Sequence, residues 1–288
     1  MIKIPVARLW HKRGKLEYYT MLQLHKHFPN IQFEYHIILD QPDYADEWTD
    51  KIEELSNSAS FKCFWYTKED MHTYLIDSDY ANSKFIELIP NFIHFYHILI
   101  NHYIRRVFRY DYVLTIEYDV LFNSDELTQV QYCLENKLPF GITEPANANC
   151  DKALANKLSE LFQQNIVRFP NIGINAGFCG LNLKIFDTFM NPSAFNMLLN
   201  CFDFSGIYDS DGNEKIGMTR TIVDTQEQSF HSLINALSEN YQILDPSEYY
   251  VFPYWVDMEY LKKSKVIHFI GHTKPEEMMQ MIDNNLDI

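Results

Sequence analysis

Glu117 and Asp119 stand one residue apart in YVLTIEYDVLF, a run that is otherwise apolar and β-branched. Two carboxylates spaced this way, in a turn just past a strand, can converge on one divalent cation. Their oxygen donors suit the hard ions Mg²⁺ and Mn²⁺. In apolar company they are costly unless a cation or several hydrogen-bond donors compensate them. A structural alternative has Asp119 capping a turn and Glu117 paired with Arg105 or Arg106. Two other acid pairs share the spacing, Asp77/Asp79 in LIDSDY and Asp209/Asp211 in IYDSDGNE. The first reads as a surface turn. The second sits in a polar loop and fails as a calcium loop, because Glu214 stands where an EF-hand needs glycine and Arg220 holds its twelfth position.

The elements around Glu117 and Asp119 decide what they face. IPVARLW, FEYHIILD, FKCFWY and YVLTI read as strands. KLEYYTMLQLHKHF reads as a helix, and so does Asn91 to Phe108, with an apolar face through Phe92, Phe95, Leu99, Tyr103 and Val107. Such alternation implies an α/β fold with parallel strands and crossover helices, whose ligands bind beyond the carboxyl ends of the strands. Glu117 and Asp119 then lie at the ligand edge. A helix is expected to restart at NSDELTQVQYCLENK, where Asn123 and Glu126 have capping-box spacing. LPFGIT, IGINAGFCGLNLKIF and KVIHFI read as later strands, and TQEQSFHSLINAL as a helix. No linker-like boundary or repeat interrupts the chain. One domain over 1–288 is expected, with a nucleotide-type half over about 1–122 and an acceptor-type half over about 123–288.

The 288 residues, 47% hydrophobic with 19 tyrosines and 21 phenylalanines, suffice for a large core. A net charge of −15 argues against nucleic-acid or anionic-membrane partners. Five cysteines without a CxxC pair read as reduced thiols of a cytoplasmic protein. No apolar run reaches the roughly 18–20 residues of a membrane span, and no signal-peptide segment opens the chain.

Three stretches in order resemble the metal-dependent nucleotide-sugar glycosyltransferases of the GT-A fold, which have a Rossmann-like mixed sheet flanked by helices. YDYVLTIEYDVLF is similar to their Asp-x-Asp strand end, with Glu117 where the first Asp is usual. NAGFCGLNLKIFD is similar to their donor-sugar strand. KVIHFIGHTKPEE resembles a stretch of the glycogenin-like, family-eight enzymes, with Glu276 in place of the usual Trp. The resemblance implies Asp119 and His268 on Mn²⁺ or Mg²⁺, with Glu117 on the metal or the ribose. It implies Gly271 and Lys274 at the diphosphate, and Asn175, Ala176 and Gly177 at the donor sugar. The donor would be a UDP-sugar and the acceptor a sugar or glycan hydroxyl, with retention of anomeric configuration favoured.

In VDTQEQSF, the same resemblance implies an acidic residue near the acceptor or the anomeric carbon, with Glu227 the candidate and Asp224 the second; helix capping also explains Asp224. His94 and His97 stand three apart on a helix but have no third ligand nearby in sequence, and read as structural. Two other function classes compete. A nucleotidyltransferase or metal phosphohydrolase would usually show a glycine-rich phosphate loop or earlier Asp/His ligands, and neither is present. A non-catalytic nucleotide- or glycan-binding module would bind without turnover.

Overall fold

The computed structural model describes residues 1–10, 14–39, 47–56, 61–78, 95–144, 173–189, 231, 234–235, 237–238, 240–250 and 263–269. The elements alternate along the first half: β1 (Ile2–Trp10), α1 (Gly14–His27), β2 (Ile31–Leu39), α2 (Glu47–Ser56), β3 (Phe61–Thr67), α3 (Lys68–Ile76), α4 (Phe95–Phe108) and β4 (Tyr112–Ile116). There follow β5 (Val120–Phe122), α5 (Thr128–Asn136), β6 (Phe140–Glu144), β7 (Gly173–Asn182), α6 (Leu183–Phe189), β8 (Gln242–Ile243), β9 (Tyr249–Tyr250) and β10 (Val266–His268).

Seven strands form one sheet in the order β3-β2-β1-β4-β7-β6-β8. β3, β2, β1 and β4 run parallel, β7 runs antiparallel to β4 and β6, and β8 is parallel to β6. Interior parallel strands are covered on both faces, so they read as continuous apolar runs. β1 fits, being buried from Ile4 to Trp10. On one face Ile4, Val6 and Trp10 join Phe33, Tyr35 and Ile37 in the main core. Arg8 shares that core and is matched there by Glu17 of α1 at 2.5 Å, the pair being almost fully buried. A second sheet, β5-β10-β9, sets β10 antiparallel to β5 and parallel to β9. Residues 117–119 alone separate β4 from β5, so the chain crosses between the sheets at the acidic pair.

Three local expectations are corrected. α4 is not a simple amphipathic helix. It is buried continuously from Tyr96 to His102, while Val107 is 49% exposed and Tyr103 half-buried; Phe92 lies outside the described residues. The sheet covers it on one side and α3 and α6 pack on it as well, so no single stripe defines its buried surface. Polar groups at four-residue spacing find separate partners: Asn101 Nδ2 lies 3.4 Å from His231 Nε2, and Arg105 Nε donates to Asp187 at 2.8 Å.

Asn123 and Glu126 form no capping box. Asn123 is held by the strand beside it, its N–H donating to Lys265 O and its Nδ2 to Ser264 O. α5 starts at Thr128 with no side-chain cap. LKIF is helical, not extended: Asn182 Oδ1 accepts from the Lys184 N–H and opens α6.

Burial pulls three histidines down to about 4: His25, stacked on Phe61; His36, stacked on Phe64; and His102, bonded to the Tyr74 hydroxyl. Each stays neutral in the fold where the unfolded chain takes up a proton near pH 6.5. Their contribution is therefore complete above that pH and lost as the pH falls toward 4. Three such groups give a slope of about 4 kcal/mol per pH unit in that window. Urea midpoints are expected to drop between pH 7 and 5, less steeply in His25→Phe; a flat profile contradicts this.

Candidate metal centre

The crossover places Glu117 and Asp119 at the carboxyl edge of the parallel strands. Backbone bonds fix both. The Glu117 N–H donates to Gly177 O at 2.8 Å, extending the β4–β7 ladder by one residue. Asp119 O accepts from the Phe269 N–H at 2.8 Å, extending the β5–β10 ladder. α1 steadies the crossover: the Thr20 hydroxyl lies 2.9 Å from Tyr118 O, and Gln23 bonds both the N–H and the carbonyl of Phe122.

His268 ends β10 and turns its ring into the gap. Its Nε2 is 3.0 Å from Asp119 Oδ1 and 3.1 Å from Glu117 Oε2. One donor atom from each of the three lies within 4.8 Å of the others, the only such group of three His, Cys, Asp or Glu among the described residues. An octahedral ion with ligands at about 2.1 Å puts neighbouring donors about 3.0 Å apart, so these spacings fit one cation. His268 and Asp119 are buried, and the Glu117 side chain is 28% exposed.

The electrostatics agree with the geometry. Burial alone would lower His268, but Asp119 and Glu117 outweigh it and raise the imidazole to about 10. Burial pushes Asp119 above the usual carboxylate range, and the charge on His268 opposes that. Without a cation the proton on His268 is what holds the carboxylates together, and that is the position an ion would take. Of the two arginines offered as alternative partners, Arg105 is engaged by Asp187 and Asp111.

Gly177 matters for a reason the sequence does not reveal. A Cβ there would lie 2.1 Å from His268 Cε1 and 2.6 Å from Nε2. The ring lies where a side chain would be. β7 is shaped for this: between Gly141↔Cys179 and Thr143↔Ile174, β6 advances two residues and β7 five. Such bulges re-aim backbone beside functional sites. Asn175 Oδ1 accepts from the Gly177 N–H at 2.8 Å inside the bulge, and Asn175 and Ala176 are both buried.

The other candidates separate clearly. Gly271, Lys274, Asp224 and Glu227 lie outside the described residues, as do Asp79, Asp209, Asp211 and His94. Asp77 ends α3, its N–H donating to Thr73 O. His97, read from the sequence as structural, is buried on α4 with Nε2 4.0 Å from Glu117 Oε1. A usable signal existed: a helix leading into a parallel strand starts at the edge where that strand ends, so the first turn of α4 and Glu117 share an edge. Asn101, His231 and Cys179 also line up, with Cys179 Sγ 4.0 Å from His231 Nδ1. All three are fully buried and burial pushes the thiol up, so this is not an activated nucleophile.

Comparison by sequence finds no matching family model and no matching curated protein. Comparison by structure is informative. A bifunctional glycosyltransferase, WbbM, is 13% identical with a TM-score of 0.54, the match covering 95% of this chain and 47% of that one. Mouse xyloside xylosyltransferase 1 is 11% identical with a TM-score of 0.53, covering 95% of this chain and 99% of that one. The chain thus spans about half the length of the first and nearly all of the second. It has the GT-A fold of these glycosyltransferases, a mixed seven-stranded sheet flanked by helices.

The role of Gly177 is testable against Gly180, whose Cβ would lie 2.2 Å from the Tyr112 hydroxyl instead. Alanine at either position is expected to cost about 1–3 kcal/mol by overpacking. Only Gly177→Ala should also weaken Mn²⁺ binding, measured by calorimetry. Equal binding in the two variants contradicts this.

Proposed function

We propose that this protein is a metal-dependent glycosyltransferase that moves a sugar from a nucleoside-diphosphate sugar, a UDP-sugar in our reading, to a hydroxyl of a sugar or glycan. The observation that carries the reading is the cluster of Glu117, Asp119 and His268 at the carboxyl edge of a GT-A sheet.

Asp119 and His268 are the buried ligands, and Glu117, partly open to solvent, supplies a third donor atom, an oxygen, or reaches the ribose. An Mn²⁺ or Mg²⁺ ion held there supplies Lewis-acid neutralisation to a diphosphate whose oxygens gain charge as the glycosidic bond breaks. Lys274 adds a second positive charge, and Gly271 admits the backbone close to phosphate. The β7 bulge at Asn175, Ala176 and Gly177 lines the donor sugar, beside the ring of His268. Glu227 acts at the acceptor hydroxyl or the anomeric carbon, with Asp224 the second candidate for that place. The glycogenin-like tail favours retention of configuration. No helix among the described residues is long and apolar enough to cross a membrane, and the described cysteines are free thiols, which fits a reducing compartment.

Asp119→Asn and His268→Ala are expected to lower Mn²⁺-dependent release of UDP from a UDP-sugar by at least about a hundredfold, with circular dichroism unchanged. Wild-type turnover in either folded variant rejects the reading.

A further inference from the structure

The two oxygens of Glu117 face two histidines. Oε2 lies 3.1 Å from His268 Nε2, and Oε1 lies 4.0 Å from His97 Nε2. At 4.0 Å the second is no hydrogen bond, and it is an ion pair when the His97 imidazole carries a proton. His97 is 4% exposed, and its helix is packed against β1 and β2. Its ring is not part of the group whose donor atoms converge. It therefore stands behind Glu117 and is not a fourth ligand.

A glutamate carries one more rotatable bond than an aspartate, and its carboxylate can swing away from an ion unless something holds the far oxygen. Groups that hold a ligand carboxylate from behind fix its direction, and their loss typically weakens metal binding by about ten- to a hundredfold.

We propose that His97 is a positioning residue that holds Glu117 Oε1, so that Oε2 is presented to the cation. This rests on the cation reading given above. In this arrangement Glu117 is a ligand held from two sides. The choice between metal and ribose falls to the metal while His97 is in place.

The test is direct Mn²⁺ binding, by the loss of the free-ion electron paramagnetic resonance signal, on the full chain without donor. His97→Phe keeps the buried volume and removes the nitrogen; His97→Ala is the second variant should the first fail to fold. Either is expected to weaken Mn²⁺ binding about ten- to a hundredfold. Glu117→Asp keeps the charge but withdraws it from His97, so in that background the His97 substitution should change binding less than about twofold. An equal loss in both backgrounds, or no loss in His97→Phe, overturns the proposal while leaving the metal site intact. A wild-type chain that binds no Mn²⁺ removes the cation reading itself.

Discussion

Two carboxylates and an imidazole share a space that is buried around Asp119 and His268 and partly open to solvent at Glu117, and they can share it only with a positive charge among them. Burial raises the cost of each negative charge, and the carboxylates in turn hold His268 protonated to about pH 10. A proton meets the charge requirement poorly, because it serves one bond at a time. A divalent ion satisfies all three donors at once. That requirement explains why the surrounding backbone is so closely fixed. Glu117 is tied to one sheet by its N–H, Asp119 to the other by its carbonyl, and α1 braces the residues between them.

The site is consequently a property of the junction rather than of any single element. β4 ends in the large sheet, β5 begins in the small one, and the acidic pair occupies the step between. β10 then returns antiparallel to β5 and delivers His268 opposite Val120, beside Asp119. The last condition is an absence: β7 must offer no side chain where the imidazole lies, and Gly177 meets it. Two solved glycosyltransferases share this fold at 11–13% identity.

Much of this was legible in the sequence. β1 to β4 and β10 are apolar, β-branched or aromatic runs, and burial is what such runs predict. Glu117 and Asp119 stood out because charge interrupts such a run. Most of what failed to show depends on contacts distant in sequence. Asn123 has the spacing of a cap, yet its groups bond the chain entering β10. LKIF has strand-like composition, but Asn182 starts a helix in front of it. His97 looked like one of a pair on a helix; only the crossover topology reveals that it faces Glu117. The apolar face assigned to α4 failed because the helix is covered on several sides, where periodicity carries no information.

The most direct measurement is anomalous X-ray diffraction from crystals of the full chain soaked in Mn²⁺, recorded near the manganese edge. The account predicts a strong peak within coordination distance of Glu117, Asp119 and His268. A saturating soak that leaves those three residues without a peak would contradict it.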